Sequence, residues 1–169
     1  MEVKSRLGVQ SWCFRHFKPL DALIAQVKNL GLSRMELCEV HADVGTEAGF
    51  PAIIEKFRAA ELKLTSIGVQ TFQNRPDLEE KWFQFCNAAG AKMISDNIDV
   101  SSMPHALQTA QRLAEKYDVK LAIHNHGGYH WLGNIQMLRH ILKNTGPHVG
   151  LCLDTAWCMQ TGDNPLKCT

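Results

Sequence analysis

Residues 119–157 read VKLAIHNHGGYHWLGNIQMLRHILKNTGPHVGLCLDTAW. The stretch opens on a short apolar run, Val119–Ile123, and closes on another, Val149–Asp154 (VGLCLD), with a helical pattern between them. Asn134 suits the cap of that helix, because its side-chain oxygen can accept from the unsatisfied N–H groups of a first turn. Ile135, Leu138, Ile141 and Leu142 then recur on one face, and Gly146-Pro147 closes the helix. Strand, helix and strand in this order form a βα unit handing over to the next parallel strand, since parallel neighbours need a crossover of about a dozen residues or more.

Working outward, four earlier runs have the same character: Leu7–Cys13 (LGVQSWC), Arg34–Val40 (RMELCEV), Leu62–Val69 (LKLTSIGV) and Lys92–Asn97 (KMISDN). All six starts recur about every 28 residues, the length of a strand plus a crossover helix. The intervening patterns predict helices. Asp21 is placed to cap the first, with Leu23, Ile24, Val27 and Leu30 inward and Gly31 as its stop; Pro51 suits the first turn of the second; Pro76 and Asp77 open the third, ended by Gly90; Pro104 opens the fourth. No GxGxxG follows the first run and no GxxxxGK[ST] occurs, so a phosphate-cradling open sheet has no support. Polar residues gather at the strand C-termini, where a barrel keeps its chemistry. The predicted fold is α/β: TIM-barrel-type (βα) repeats, about six of eight units, in one domain spanning residues 1–169 whose parallel sheet forms a partial barrel. Eight units would need about 250 residues, and this chain has 169.

The composition is that of an ordinary globular chain: 45% hydrophobic, 21% charged, and 18 Lys+Arg against 17 Asp+Glu. A net charge of +1 supplies no basic stripe for nucleic acid and no attraction to an anionic membrane. Residues 1–10 contain no apolar run of signal length and no 18-residue apolar run occurs, so a cytoplasmic protein is expected. The six cysteines show neither a CxxC pair nor the density of a secreted scaffold, and are expected to be reduced and mostly buried.

The fifth run ends in His124-Asn125-His126-Gly127-Gly128, the sixth in Asp154-Thr155-Ala156-Trp157. Side chains at i and i+2 of a strand share a face, so His124 and His126 can converge where the chain leaves the sheet. Imidazole is the commonest neutral ligand of divalent transition metals, and Asp154 on the neighbouring strand is placed to add a carboxylate. Cys152 and Gly150 share the face of Asp154, while Val149, Leu151 and Leu153 face the helices. A structural reading stands beside this one: the two histidines as a hydrogen-bonded loop pair, and Asp154 as the N-cap of a following helix. His41 ends the second run and is a further candidate, whereas His16, His105, His140 and His148 fall in loops or on helix surfaces. Trp12, Trp131 and Trp157 lie near strand ends and could wall a sugar ring or plug the mouth; Trp82, at helical spacing, belongs to the core.

The segments VKLAIHNHGGYHWLGN and HVGLCLDTAWCMQTGDNP resemble the fifth and sixth strands of the sugar phosphate isomerase/epimerase family of xylose isomerase-like TIM barrels, with weaker agreement in LGVQSWCFR, RMELCEVH, LTSIGVQTF and GAKMISDNID. The resemblance implies a divalent metal (Mn, Mg, Co or Zn) and proton abstraction next to the carbonyl of a sugar, sugar phosphate or polyol, through an enediolate. By position it gives His124 and Asp154 as catalytic residues, His124, His126 and Asp154 as metal ligands, and Trp12, Glu36, His41, His126 and Trp157 as substrate contacts. Two departures stand out. His124 occupies a position where many relatives carry glutamate, and Trp157 one where they often carry histidine.

Relatives continue into a seventh and an eighth strand bearing a metal histidine and a metal glutamate, and this sequence ends before either. Three readings follow: an isomerase/epimerase-type domain completed elsewhere; a shortened, non-catalytic relative that binds a metal or a small polyol; and, disfavoured by the charge, a metal-dependent phosphodiesterase of the endonuclease IV type. The expected partner is a small sugar or polyol, with neither nucleic acid nor membrane, and homo-oligomerisation is expected through exposed sheet edges.

Overall fold

A computed structural model describes residues 7–168. Residues 1–6, part of the stretch searched for a signal, lie outside them. Six parallel strands follow the chain in spatial order: β1 (Val9–Gln10), β2 (Arg34–Leu37), β3 (Lys63–Phe72), β4 (Met93–Ile98), β5 (Lys120–His124) and β6 (Val149–Cys152). Between and after them run α1 (Leu20–Asn29), α2 (Phe50–Ala59), α3 (Pro76–Ala89), α4 (His105–Tyr117), α5 (Ile135–Lys143) and α6 (Thr155–Gln160). β1 and β6 are the two edges of the sheet, which is a partial TIM barrel.

The helices start and stop largely where the residue chemistry directs. Pro51 and Pro76 sit in first turns, where a missing N–H costs nothing, and Gly90 ends α3 in the left-handed conformation. Asn134 caps α5 by accepting from the N–H groups of Gln136 and Met137. α1 differs: Pro19 is its N-cap, and Asp21 lies within the first turn, where its carboxylate pairs with Lys56 of α2.

Alternation in the strands decides what faces the helices. Met35 and Leu37 of β2, Ile94 and Ile98 of β4, and Leu121 and Ile123 of β5 are buried against them, with Phe83 and Phe85 of α3 and Ala110 of α4 filling the layer between. Val149 and Leu151 of β6 pack on this side as expected. On the inner face, Glu36 of β2 accepts hydrogen bonds from Gln10 (2.6 Å), Ser66 (2.8 Å) and Ser95, and Ser95 reaches Cys152 of β6 (3.8 Å). One inward carboxylate thus ties β1, β2, β3 and β4 together, and Ser95 extends the link to β6. Gly68 allows β3 to approach β4 closely: at φ +152°, a Cβ there would lie 2.6 Å from the Ser95 carbonyl oxygen, in the segment where the β3–β4 register shifts.

Candidate active site at the barrel mouth

β5 and β6 pair up to His124 opposite Cys152, and the chain beyond each pair builds the site. Asn125, directly after the last β5 residue, is buried and clamps the neighbouring chain. Its Oδ1 accepts from the Asp154 N–H at 2.6 Å, and its Nδ2 donates to the Asp154 carbonyl at 3.0 Å. Asp154 is thereby held by its backbone while its carboxylate does two things. Oδ1 caps α6, accepting from Ala156 and Trp157 at 2.9 and 3.0 Å. Oδ2 faces His124 Nε2 at 3.6 Å. The cap reading and the site reading of Asp154 therefore both hold, each through a different oxygen.

His124 at the end of β5 and His126 and His130 of the following loop bring three imidazoles side by side, each tilted against the next. The His124 and His126 ring centroids are 4.8 Å apart, and those of His126 and His130 4.3 Å. Burial holds His124 below the usual histidine value, opposed by the nearby carboxylates of Asp154 and Glu36. His126 is pushed down to about 4 by burial, with His130 and His124 adding to it. His130 is lowered for the same first reason, and its Nδ1 caps the turn of Trp131–Gly133 by accepting from the Leu132 N–H. The site thus presents neutral imidazole at neutral pH, the form that can take up a proton.

In front of His124 and Asp154 lies a cavity of about 410 Å³. Strand C-termini line it: Gln10 from β1, Cys38 and Glu39 beyond β2, Gly68 from β3, and His124 and Asp154. Trp12 and Trp157 are partly exposed on its wall. Glu39 is held above the usual carboxylate range by loss of solvation on its protein side and by the neighbouring charge of Asp43.

Of the residues singled out above, the structure brings His124, Asp154, Trp12 and Trp157 together around this cavity. His126 stands beside His124 and is not among the lining residues, and its Nε2 is buried without a partner. Glu36 lies a layer below, in the serine network. His41 spends both ring nitrogens on structure, Nδ1 meeting Ser11 Oγ at 3.2 Å and Nε2 the Phe14 carbonyl at 3.1 Å. Trp131 donates to the Ile98 carbonyl at 3.1 Å and packs on the core, so it plugs rather than walls. Asn125 holds Asp154, Glu39 lines the cavity and His130 stands against His126, and the sequence pattern points to none of the three. Strand alternation had drawn attention to His124 and His126, and the residue between them, aimed at the next strand, escaped it.

Among the described residues no group of three His, Cys, Asp or Glu side chains stands close enough to hold a metal ion. His124 Nε2 and Asp154 Oδ2 offer two donors. A resident divalent ion normally takes at least three protein ligands in a catalytic zinc site, and more oxygen ligands for the harder ions, so the described residues do not hold one unaided.

The sequence and the fold match a known family. The sequence profile of the family described as "Xylose isomerase-like TIM barrel" matches residues 24–167. The chain belongs to that family. No curated protein matches the sequence. Among solved structures, a putative uncharacterized protein from Parabacteroides distasonis superposes with a TM-score of 0.76 at 22% identity, over 95% of this chain and 68% of that one. A sugar phosphate isomerase/epimerase from the same organism gives 0.71 at 13%, over 95% and 69%. The probable 3-DHS dehydratase AsbF of Bacillus anthracis, described as involved in petrobactin synthesis, gives 0.73 at 12%, over 95% and 67%. At these identities the likeness is one of fold. This xylose isomerase-like chain spans about two thirds of the length of those proteins. No helix among the described residues is long and apolar enough to cross a membrane.

Proposed function

We propose that the cavity at the barrel mouth binds a sugar or polyol and that the site belongs to an isomerase/epimerase that moves a proton on the carbon next to a carbonyl. The observation that carries this reading is the pairing of a desolvated, neutral His124 with the fixed carboxylate of Asp154, 3.6 Å away, in a cavity walled by Trp12 and Trp157. Indole faces suit the C–H face of a sugar ring, and carboxylate, amide and imidazole groups suit its hydroxyls. His124 takes the proton from carbon, Asp154 stabilises the imidazolium that forms, and the electron pair left behind moves into the carbonyl as an enediolate. Glu39, raised by its surroundings, supplies the proton that the enediolate oxygen takes up. As the enediol collapses, a hydroxyl proton returns to Glu39: a solvent proton added to the same carbon on its opposite face, with His124 releasing its own proton to solvent, gives an epimer, and the His124 proton added to the adjacent carbon gives an isomer.

A second reading, binding without turnover, has one observation in its favour: the described residues complete no metal site to polarise the carbonyl. The two separate in heavy water. The chain is incubated with a ketohexose such as D-fructose and followed by proton NMR, both for saturation transfer to the sugar and for deuterium uptake next to the carbonyl. Transfer together with uptake that disappears in His124→Asn supports the first reading. Transfer without uptake supports the second, and no transfer contradicts both.

A further inference from the structure

Beyond the sugar site, the turn after α6 carries a second piece of chemistry. Cys158 lies on α6, directly after Trp157 of the cavity wall, and is buried at 4% exposure. Cys168 follows the short 3-10 turn of Pro165–Lys167, and its sulfur stands 3.0 Å from that of Cys158. Both thiols are free. The approach is built by the backbone: the Asp163 N–H donates to the Cys158 carbonyl at 3.1 Å, Asn164 caps the last turn through Leu166 N–H, and Arg139 of α5 donates to the Lys167 carbonyl at 2.9 Å. The chain is thus folded back on α6 with the two sulfurs in contact, while the other four cysteines have no cysteine sulfur as a hydrogen-bonding neighbour.

We propose that Cys158 and Cys168 form an oxidisable dithiol, converted to a disulfide by hydrogen peroxide and reopened by a small thiol. Access is from Cys168, which is partly exposed. Cys158 is buried behind it, so the first attack on a peroxide falls to Cys168, and the Cys168 thiol against it raises Cys158. The Cys168 thiolate attacks one peroxide oxygen, the O–O bond breaks, and hydroxide leaves with the electron pair and takes up the proton that the thiol had lost. Cys168 is then a sulfenic acid. Cys158 sulfur attacks that sulfur, the S–O bond breaks, and the departing hydroxide takes the Cys158 proton as water. Two thiols and one peroxide give one disulfide and two waters. The ring so closed runs from α6 through the last turn and fastens the segment that carries Trp157.

This dithiol stands independently of the sugar reading, because its geometry requires nothing of the cavity. Peroxide-treated chain, alkylated and digested with trypsin, tests it. Cleavage after Lys143 and Lys167 separates the two cysteines, so a disulfide leaves the fragment beginning at Cys168 attached to the peptide 144–167 until reductant is added. The expected wild-type result is that linked pair, with two of the six cysteines lost to alkylation and an intact mass lower by two hydrogen atoms. In Cys158→Ser the intermediate has no partner, and dimedone is expected to label Cys168; in wild type that label is absent. Thermal melting of each variant confirms that it is folded. Oxidation that falls first on exposed Cys13, that joins two chains, or that leaves both Cys158 and Cys168 open to alkylation overturns the proposal.

Discussion

Asn125 is the residue on which the site depends most, because one buried amide satisfies both backbone groups of Asp154. Asn125→Ala leaves those groups without partners in a dry place, and a loss of about 2–3 kcal/mol is expected in urea denaturation, with weaker sugar binding as Asp154 drifts from His124. Histidine and aspartate titrations give the molecule opposite pH slopes. His126 protonates near pH 4 in the folded chain and near its ordinary value of 6.5 when unfolded. Between these values the unfolded chain binds the extra proton, so stability rises with pH and is lost as pH falls from 6.5 towards 4. Asp96 behaves in reverse. It is fully buried, and burial raises it to about 8 from 3.8, opposed only in part by the backbone N–H of Ala122. The folded chain there keeps a proton that the unfolded one releases, so stability falls as pH rises from 3.8 through 8. Asp96→Asn, which mimics the protonated form, is expected to be more stable than wild type at pH 8 and nearly equal to it at pH 4, with the difference read from denaturation midpoints. The two ordinary signals here, HxH spacing and a strand-end aspartate, were legible in the sequence. Asn125 and Asp96 were not, because their importance lies in what the next strand or the packed layer leaves around them.

At the scale of elements, the chain announces its helices well wherever proline, asparagine or glycine marks an end, as at Pro76, Asn134 and Gly90. It misleads at α1, where Asp21 has the composition of a cap but the helix begins before it, at Leu20, which leaves its exposed carboxylate in the first turn against Lys56. β1, β2 and β6 stop short of the apolar runs that suggested them, whereas β3 runs on to Phe72; β1 gives way after Gln10 to a 3-10 turn over Ser11–Phe14, held by Ser11 and His41. Such a clasp between chain segments has no local signature. The loop after β5 needs Gly127 for a steric reason, since a Cβ there would run into the Trp157 ring and the Gln160 side chain of α6. Gly127→Ala is therefore expected to displace Trp157 from the cavity wall, seen as a changed tryptophan emission spectrum and weaker sugar binding, with a smaller change in melting temperature. Gly68→Ala is a harsher test of β3 against β4: strain and overlap with the Ser95 backbone are expected to cost about 3 kcal/mol or more.

For the molecule as a whole, the 28-residue repeat made the βα architecture legible. How far the sheet curls and which polar ends meet in one cavity depend on packing between units, and no single segment encodes them. Among the described residues β1 and β6 are the edges of the sheet, and an open edge recruits a further strand. Sedimentation velocity is expected to show a weight-average mass that climbs above the monomer value with concentration; a constant monomer mass would remove edge pairing from the account. The central claim is that the mouth between Trp12 and Trp157 holds a sugar against His124 and Asp154. Saturation-transfer NMR of D-fructose with wild-type, Asp154→Asn and Trp157→Ala chains, each checked for folding by its melting curve, tests it most directly. The account predicts transfer to the sugar ring protons in wild type and its loss in both variants, whereas no transfer in wild type, or equal transfer in all three, would contradict it.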